Sequence, residues 1–192
     1  MSLTESIELT AVVGSVTPPG RLRRAVQEAL ARAEGTQTEL IDLAERQIPF
    51  ADGRPATELG GDTAAVIAAL ARADAILLAT PIYRGSLTGA LKNLLDHVPV
   101  AVLQGTPVAL VSMGGSDHHY LGAERHLRDV LAFFGAHPLP TAVYLSGRDF
   151  TDGQPSQRAE HALDAVIRSA VTLAGALRDR PELGPMPLAA GF

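Results

Sequence analysis

Three short segments of the chain gather the glycines, hydroxyls and ring-bearing side chains that could hold a ligand. The first, Gly14-Ser15-Val16-Thr17-Pro18-Pro19-Gly20-Arg21, separates an apolar run from a helical pattern. A helix N-terminus carries unpaired N–H groups and a positive dipole end, which suits a phosphate. The hydroxyls of Ser15 and Thr17, backbone N–H groups at Gly20, Arg21 and Leu22, and the Arg21 guanidinium could surround one. Gly14 would let the chain turn, and the plain alternative is an ordinary strand-to-helix turn. The second segment runs from Thr80 to Asp96. Pro81 stops a strand, Ile82 follows it, Tyr83 offers a flat face, Arg84 a charge, and Gly85 a backbone that a ligand can approach closely. Ser86 is placed to cap the next helix. Such a loop can lie along an aromatic ring system and donate backbone hydrogen bonds to its edge. The third, Ser112-Met113-Gly114-Gly115-Ser116-Asp117, offers close backbone approach at Gly114 and Gly115, with a plain Gly-Gly turn as the alternative.

What these segments lack narrows the chemistry. The first has no Gly-Lys-Ser/Thr ending and no G-x-G-x-x-G, so neither a nucleotide P-loop nor a dinucleotide fingerprint is present. Thr80-Pro81 stands where a receiver domain needs an aspartate. His118, His119 and His126 lie near Asp117 and Glu124, but His119 and His126 are seven apart on a helix and no H-E-x-x-H spacing exists, so no metal site is expected. Gly114–His118 lacks the glycine that a serine-hydrolase elbow carries two residues after its serine. Cysteine is absent, which excludes thiol catalysis, Cys-ligated zinc or iron–sulfur, and disulfides. Net charge is −5, and Arg21, Arg23 and Arg24 form the sole basic cluster, so no nucleic-acid partner is expected. No apolar run approaches the roughly 18 residues of a membrane span, and Met1–Ser6 carries no signal-peptide pattern. A soluble cytoplasmic protein with no membrane partner is the expectation.

The elements that must position the three segments follow from hydrophobic patterning. Apolar runs at Glu8–Val13, Thr38–Leu43, Ala75–Ala79, Val108–Ser112 and Ala142–Leu145 suit strands buried on both faces. Helical spacing appears at Arg21–Ala33, Asp62–Ala73, Leu87–His97, Gly122–Phe134 and Gln157–Leu177. Ala44–Gly61 reads as loop, and Pro181–Phe192 as an irregular tail after a single domain spanning residues 1–180. Strict alternation of strand and helix implies right-handed crossovers and a doubly wound parallel sheet. Of the common phosphate-binding α/β folds, the loop chemistry leaves the flavodoxin-like one, a five-stranded sheet of order 2-1-3-4-5. There the ligand lies beyond the carboxyl ends of the strands, where the order reverses, and the three segments fall at that edge.

The second segment resembles the NADPH-dependent FMN reductase family, whose members carry P-x-Y-x-x-S-x-x-G-x-L-K-N-x-x-D. Pro81, Tyr83, Ser86, Gly89, Leu91, Lys92, Asn93 and Asp96 match it. The continuation through Val98-Pro99 and Leu103-Gln104-Gly105 is similar to reductases that supply alkanesulfonate-type monooxygenases. The resemblance spans about Leu9 to Gly135. It implies FMN as cofactor, with Pro81–Ser86 on the isoalloxazine ring, the first loop on the phosphate and Gly114-Gly115 on the pyrimidine side. It implies NADPH or NADH as co-substrate, a homodimer or homotetramer, and a possible partner monooxygenase; by residue type, Tyr83 and Arg84 are the groups expected near the nicotinamide or its phosphate. A quinone, azo-dye or arsenical reductase is the alternative, and a flavodoxin-type electron carrier the outside one. Hydride transfer requires no general acid or base from the protein, and no catalytic residue is nominated. The first loop departs from the family's G-S-x-[RS]-x-x-S: Gly14 and Ser15 match and Thr17 keeps a hydroxyl, while Gly20 and Leu22 replace later hydroxyls. Each lost neutral hydrogen bond is worth about 0.5–1.5 kcal/mol, so FMN is expected to exchange.

Overall fold

A computed structural model describes residues 6–17, 20–178 and 187. In chain order it contains β1 (Ile7–Val13), α1 (Arg21–Ala31), β2 (Thr36–Asp42), α2 (Thr63–Arg72), β3 (Ala75–Pro81), α3 (Gly89–His97) and the one-turn α4 (Val100–Leu103). There follow β4 (Pro107–Met113), α5 (Gly122–Phe134), β5 (His137–Pro138), β6 (Val143–Leu145), β7 (Phe150–Thr151), β8 (Gln154–Pro155) and α6 (Gln157–Leu177). The main sheet is parallel with order β2-β1-β3-β4-β5, and β6 also pairs with β4.

The pleat explains why the strand sequences are apolar throughout. Leu9, Ala11 and Val13 of β1, Ala75, Leu77 and Ala79 of β3, and Ala109 and Val111 of β4 point to one face, under α1 and α6. Val12, Ile76, Leu78, Val108 and Leu110 point to the other, under α2, α3 and α5. The first face is rich in alanine, so α6 can lie close across it. Its Ala159, Leu163, Val166, Ile167, Ala170 and Ala174 are buried there, at helical spacing.

Five local expectations are corrected. The fifth strand, read as Ala142–Leu145, is two short pieces, because Pro138 and Pro140 lack the N–H groups that a continuous strand would use. The second strand begins two residues earlier, and Leu43 opens a 3-10 turn whose Ala44 N–H donates to the Asp42 carboxylate. The loop 44–61 also holds a 3-10 turn at Ala56–Glu58. Helix α3 starts at Gly89 rather than Leu87, because Thr88, and not Ser86, is its N-cap: the Thr88 hydroxyl accepts from Leu91 N–H. His119 lies in a separate 3-10 turn ahead of α5, so it does not share a helix with His126. The tail Pro181–Phe192 lies outside the described residues except for Pro187. Among the described residues no helix is long and apolar enough to cross a membrane.

Candidate functional site

Parallel strands send all their carboxyl ends to one edge, and the register makes those ends adjacent. Val13 pairs with Ala79, and Pro81 with Met113, so the loops after β1, β3 and β4 leave the sheet side by side. Thr88, 2% exposed, ties two of them together. Its hydroxyl donates to the Gly14 carbonyl while accepting from Leu91 N–H, and its own N–H donates to the Thr80 hydroxyl. Gly14 N–H donates to the Ala79 carbonyl at 2.7 Å, and Ile82 N–H to the Met113 carbonyl at 2.8 Å. The three loops are thus one bonded assembly.

The first loop presents hydroxyls and a bare helix start. Ser15 Oγ and Thr17 Oγ1 lie 3.0 Å apart on the surface. Gly20, the N-cap of α1, supplies no side-chain cap, and no acidic residue occupies the first turn. The leading N–H groups of an 11-residue helix therefore have no carboxylate or hydroxyl of their own to satisfy them. Leu22 is buried in the core, so only its backbone can reach a ligand. The arginine cluster is divided. Arg23 pairs with Asp42 and Glu45, and Arg24 donates to the Gly153 carbonyl. Arg21 stacks its guanidinium 5.2 Å from the Phe150 ring centroid and has no ion pair among the described residues.

The second loop is a tight turn. Tyr83 and Ser86 exchange both backbone hydrogen bonds, at 3.0 and 3.1 Å. The central residues Arg84 and Gly85 both have positive φ, 53° and 81°, the pattern of a type I′ turn. That geometry leaves the Arg84 and Gly85 N–H groups outside the turn's own bonds, and Tyr83 stands 47% exposed beside them. Helix α5 backs the turn. Gly122 packs on the Gly85 carbonyl so closely that a Cβ there would lie 3.0 Å from it, and Ser86 Oγ is 2.7 Å from His126 Nδ1. The serine read as a cap is instead a tie to α5.

The third loop is held by the end of the strand read as Ala142–Leu145 and by the segment after it, to which sequence reading gave no element. Gly114 N–H donates to the Leu145 carbonyl at 3.0 Å, the Tyr144 hydroxyl donates to the Ser116 carbonyl, and Asp117 pairs with Arg148 at 2.6 Å. A Cβ on Gly115 would meet nothing within 4 Å, so its face is open. Behind this, Ser146 N–H donates to buried Asp149, which also pairs with Arg158. Asp152 and Gly153 have φ of 51° and 78° and close the β7–β8 hairpin. Asp-Gly between two short runs is a hairpin signal, and it marks this fourth wall in the sequence.

Together the edge offers paired hydroxyls and bare helix N–H groups for a phosphate, two outward N–H groups for the polar rim of a ring, a flat tyrosine and an open glycine. That donor set fits a flavin nucleotide. Among the described residues no cluster of His, Asp and Glu suits a metal ion.

Residues 7–151 match the family model described as NADPH-dependent FMN reductase. The NADH-dependent FMN reductase SfnF of Pseudomonas fluorescens is 33% identical over 178 residues, covering 91% of this chain and 94% of that protein. An FMN reductase (NADPH) of Pseudomonas aeruginosa is 32% identical over 151 residues, covering 77% and 81%. Among solved structures, the apo form of the NADH:FMN oxidoreductase EMOB superposes with a TM-score of 0.71 at 24% identity, covering 87% of this chain and 89% of that one.

Proposed function

The chain belongs to the NADPH-dependent FMN reductase family, an oxidoreductase family using FMN with NADH or NADPH as reductant, and from that premise we propose how its own residues do this work. The observation that carries the proposal is the bonded assembly of three loops at the carboxyl edge. Gly14, Ser15, Thr17, Gly20, Arg21 and the Leu22 backbone hold the FMN phosphate. Pro81, Ile82, Tyr83, Arg84, Gly85 and Ser86 meet the ring, with Gly114 and Gly115 along its pyrimidine side. Bound FMN supplies the hydride-accepting chemistry. The protein orients it: the turn N–H groups of Arg84 and Gly85 fix the ring's polar rim, and Tyr83 covers one face. No side chain is assigned as acid or base.

In this reading residues 1–180 form one cytoplasmic flavin-binding domain, which works as a homodimer or homotetramer. Reduced FMN leaves the site and feeds a partner monooxygenase. Release follows from the first loop, which keeps Ser15 and Thr17 but has glycine and leucine at 20 and 22. A quinone, azo-dye or arsenical acceptor is the second destination for the electrons. The test is oxidation of NADH and of NADPH by the purified protein, with and without added FMN. Oxidation that rises with added free FMN is expected. A yellow protein that keeps its flavin through dialysis and gains nothing from added FMN contradicts release. Flavin binding with no nicotinamide oxidation makes the chain an electron carrier and rejects the reductase.

Arg21 gives a sharper check on the phosphate end. Its guanidinium lies over the Phe150 ring and has no carboxylate partner among the described residues. A charge-assisted bond to phosphate contributes about 1.5–3 kcal/mol, so Arg21→Ala is expected to weaken FMN roughly tenfold or more. Riboflavin, which has no phosphate, should lose little. Equal losses for the two flavins, read by fluorescence titration, remove Arg21 from the phosphate site.

A further inference from the structure

The third loop contains two adjacent glycines, and the structure gives them different reasons. Neither has the positive φ that would demand glycine on conformational grounds. Gly115 faces open space. Gly114 does not: a Cβ there would fall inside the van der Waals envelope of the Tyr144 hydroxyl oxygen, and near its ring atoms Cζ and Cε2. The same hydroxyl donates to the Ser116 carbonyl, two residues along the loop. Gly114 N–H is simultaneously tied to the Leu145 carbonyl, next to Tyr144 in β6. Tyr144 therefore reaches over Gly114, where a side chain would block it, and fastens the far side of the bend. Burial, and then the neighbouring Asp117, push its phenol above the ordinary tyrosine value, which keeps the proton needed for donation.

We propose that Tyr144 is a positioning residue for flavin: seated on Gly114 and bonded to Ser116, it fixes the curvature of residues 113–117 so that Gly115 presents its open face to the ring. The ligand half of this rests on the FMN reading above. The anchoring half does not. Tyr144 by itself requires glycine at 114, whose backbone still runs along the flavin ring, and Gly115 is the residue of the pair whose Cβ side is open.

The experiment uses four proteins, wild type, Tyr144→Phe, Gly114→Ala and Gly114→Ala/Tyr144→Phe. Each is measured by amide hydrogen exchange across residues 113–117 without ligand, and by fluorescence titration with FMN. Thermal melts show that all four are folded. Removing a neutral hydrogen bond is worth roughly three- to tenfold in an equilibrium, so Tyr144→Phe should speed exchange at Gly115–Asp117 and weaken FMN by about that factor. Gly114→Ala should be worse on both readouts, because the added methyl displaces the phenol. The double variant should recover part of the way towards Tyr144→Phe, since removing the hydroxyl takes away the closest clash and leaves the ring Cζ 3.1 Å from the methyl. Such rescue is not produced by a residue that only adds general stability. Unchanged exchange in Tyr144→Phe, or a double variant no better than Gly114→Ala, overturns the anchor. Altered exchange and rescue with unchanged FMN affinity overturns the role toward flavin while leaving the anchor standing. Wild-type protein that binds no FMN overturns the flavin reading itself.

Discussion

Thr88→Val is expected to lower stability by about 2–4 kcal/mol, more than any other single change at the site, although it swaps a hydroxyl for a methyl of nearly the same size. Two separate losses add. The N-cap of α3 disappears, which costs about 0.5–2 kcal/mol when Thr is replaced by a residue without an acceptor. The Gly14 carbonyl also loses its donor in a place where water cannot replace it, and a buried unsatisfied group costs about 1–3 kcal/mol. For a domain of this size the melting temperature should fall by roughly 5–15 °C. Because Thr88 joins the first and second loops, FMN affinity of the folded fraction should fall as well. Thr88→Ser keeps the hydroxyl and should remain close to wild type in both respects. Circular dichroism melts of the two variants decide the matter. A valine variant that melts with wild type would mean the hydroxyl joins nothing of consequence.

The second large effect is expected at Gly85, where Gly85→Val should remove most flavin binding while the fold persists. Nothing lies within 4 Å of a Cβ built at Gly85, so the substitution meets no steric obstacle in the protein. Its cost is conformational: φ is +81°, and a β-branched residue is strained there by about 1–3 kcal/mol. The turn relieves that strain by changing type, which swings the Arg84 and Gly85 N–H groups away from the edge. A loss of at least tenfold in FMN affinity is expected, with unchanged circular dichroism and an ordinary destabilisation of roughly 0.5–3 kcal/mol. Gly85→Asn, which tolerates positive φ, should recover part of the affinity. Equal affinity in wild type and Gly85→Val would place the flavin away from this turn.

The architecture was legible because it depends on patterns that tertiary context seldom overrides. Runs such as Ala75–Ala79 and Val108–Ser112 are apolar on both faces, as strands between two helix layers must be. The bounds of α5 and α6 agree with the reading because Gly135 and Ser156 punctuate long amphipathic patterns. What escaped depends on partners distant in sequence. Ser86 and Thr88 are both good caps by type; only the tie to His126 on α5 tells which one the helix uses. Tyr144 looked like an unremarkable strand residue, since its importance lies in a glycine thirty positions earlier. The three arginines of α1 read as one basic cluster, yet Asp42, Glu45, Gly153 and Phe150 each claim a share of it, and Arg21 has no carboxylate partner among the described residues. Phe150 reaches Arg21 because the Asp152-Gly153 hairpin brings it back against α1.

The most direct test is a crystal structure of the protein grown with FMN. The phosphate is expected at Ser15, Thr17 and the first turn of α1, the ring's polar rim on the Arg84 and Gly85 N–H groups, Tyr83 against its face and Gly115 on the pyrimidine side. Flavin density elsewhere on the molecule, with these three loops unoccupied, would contradict that placement.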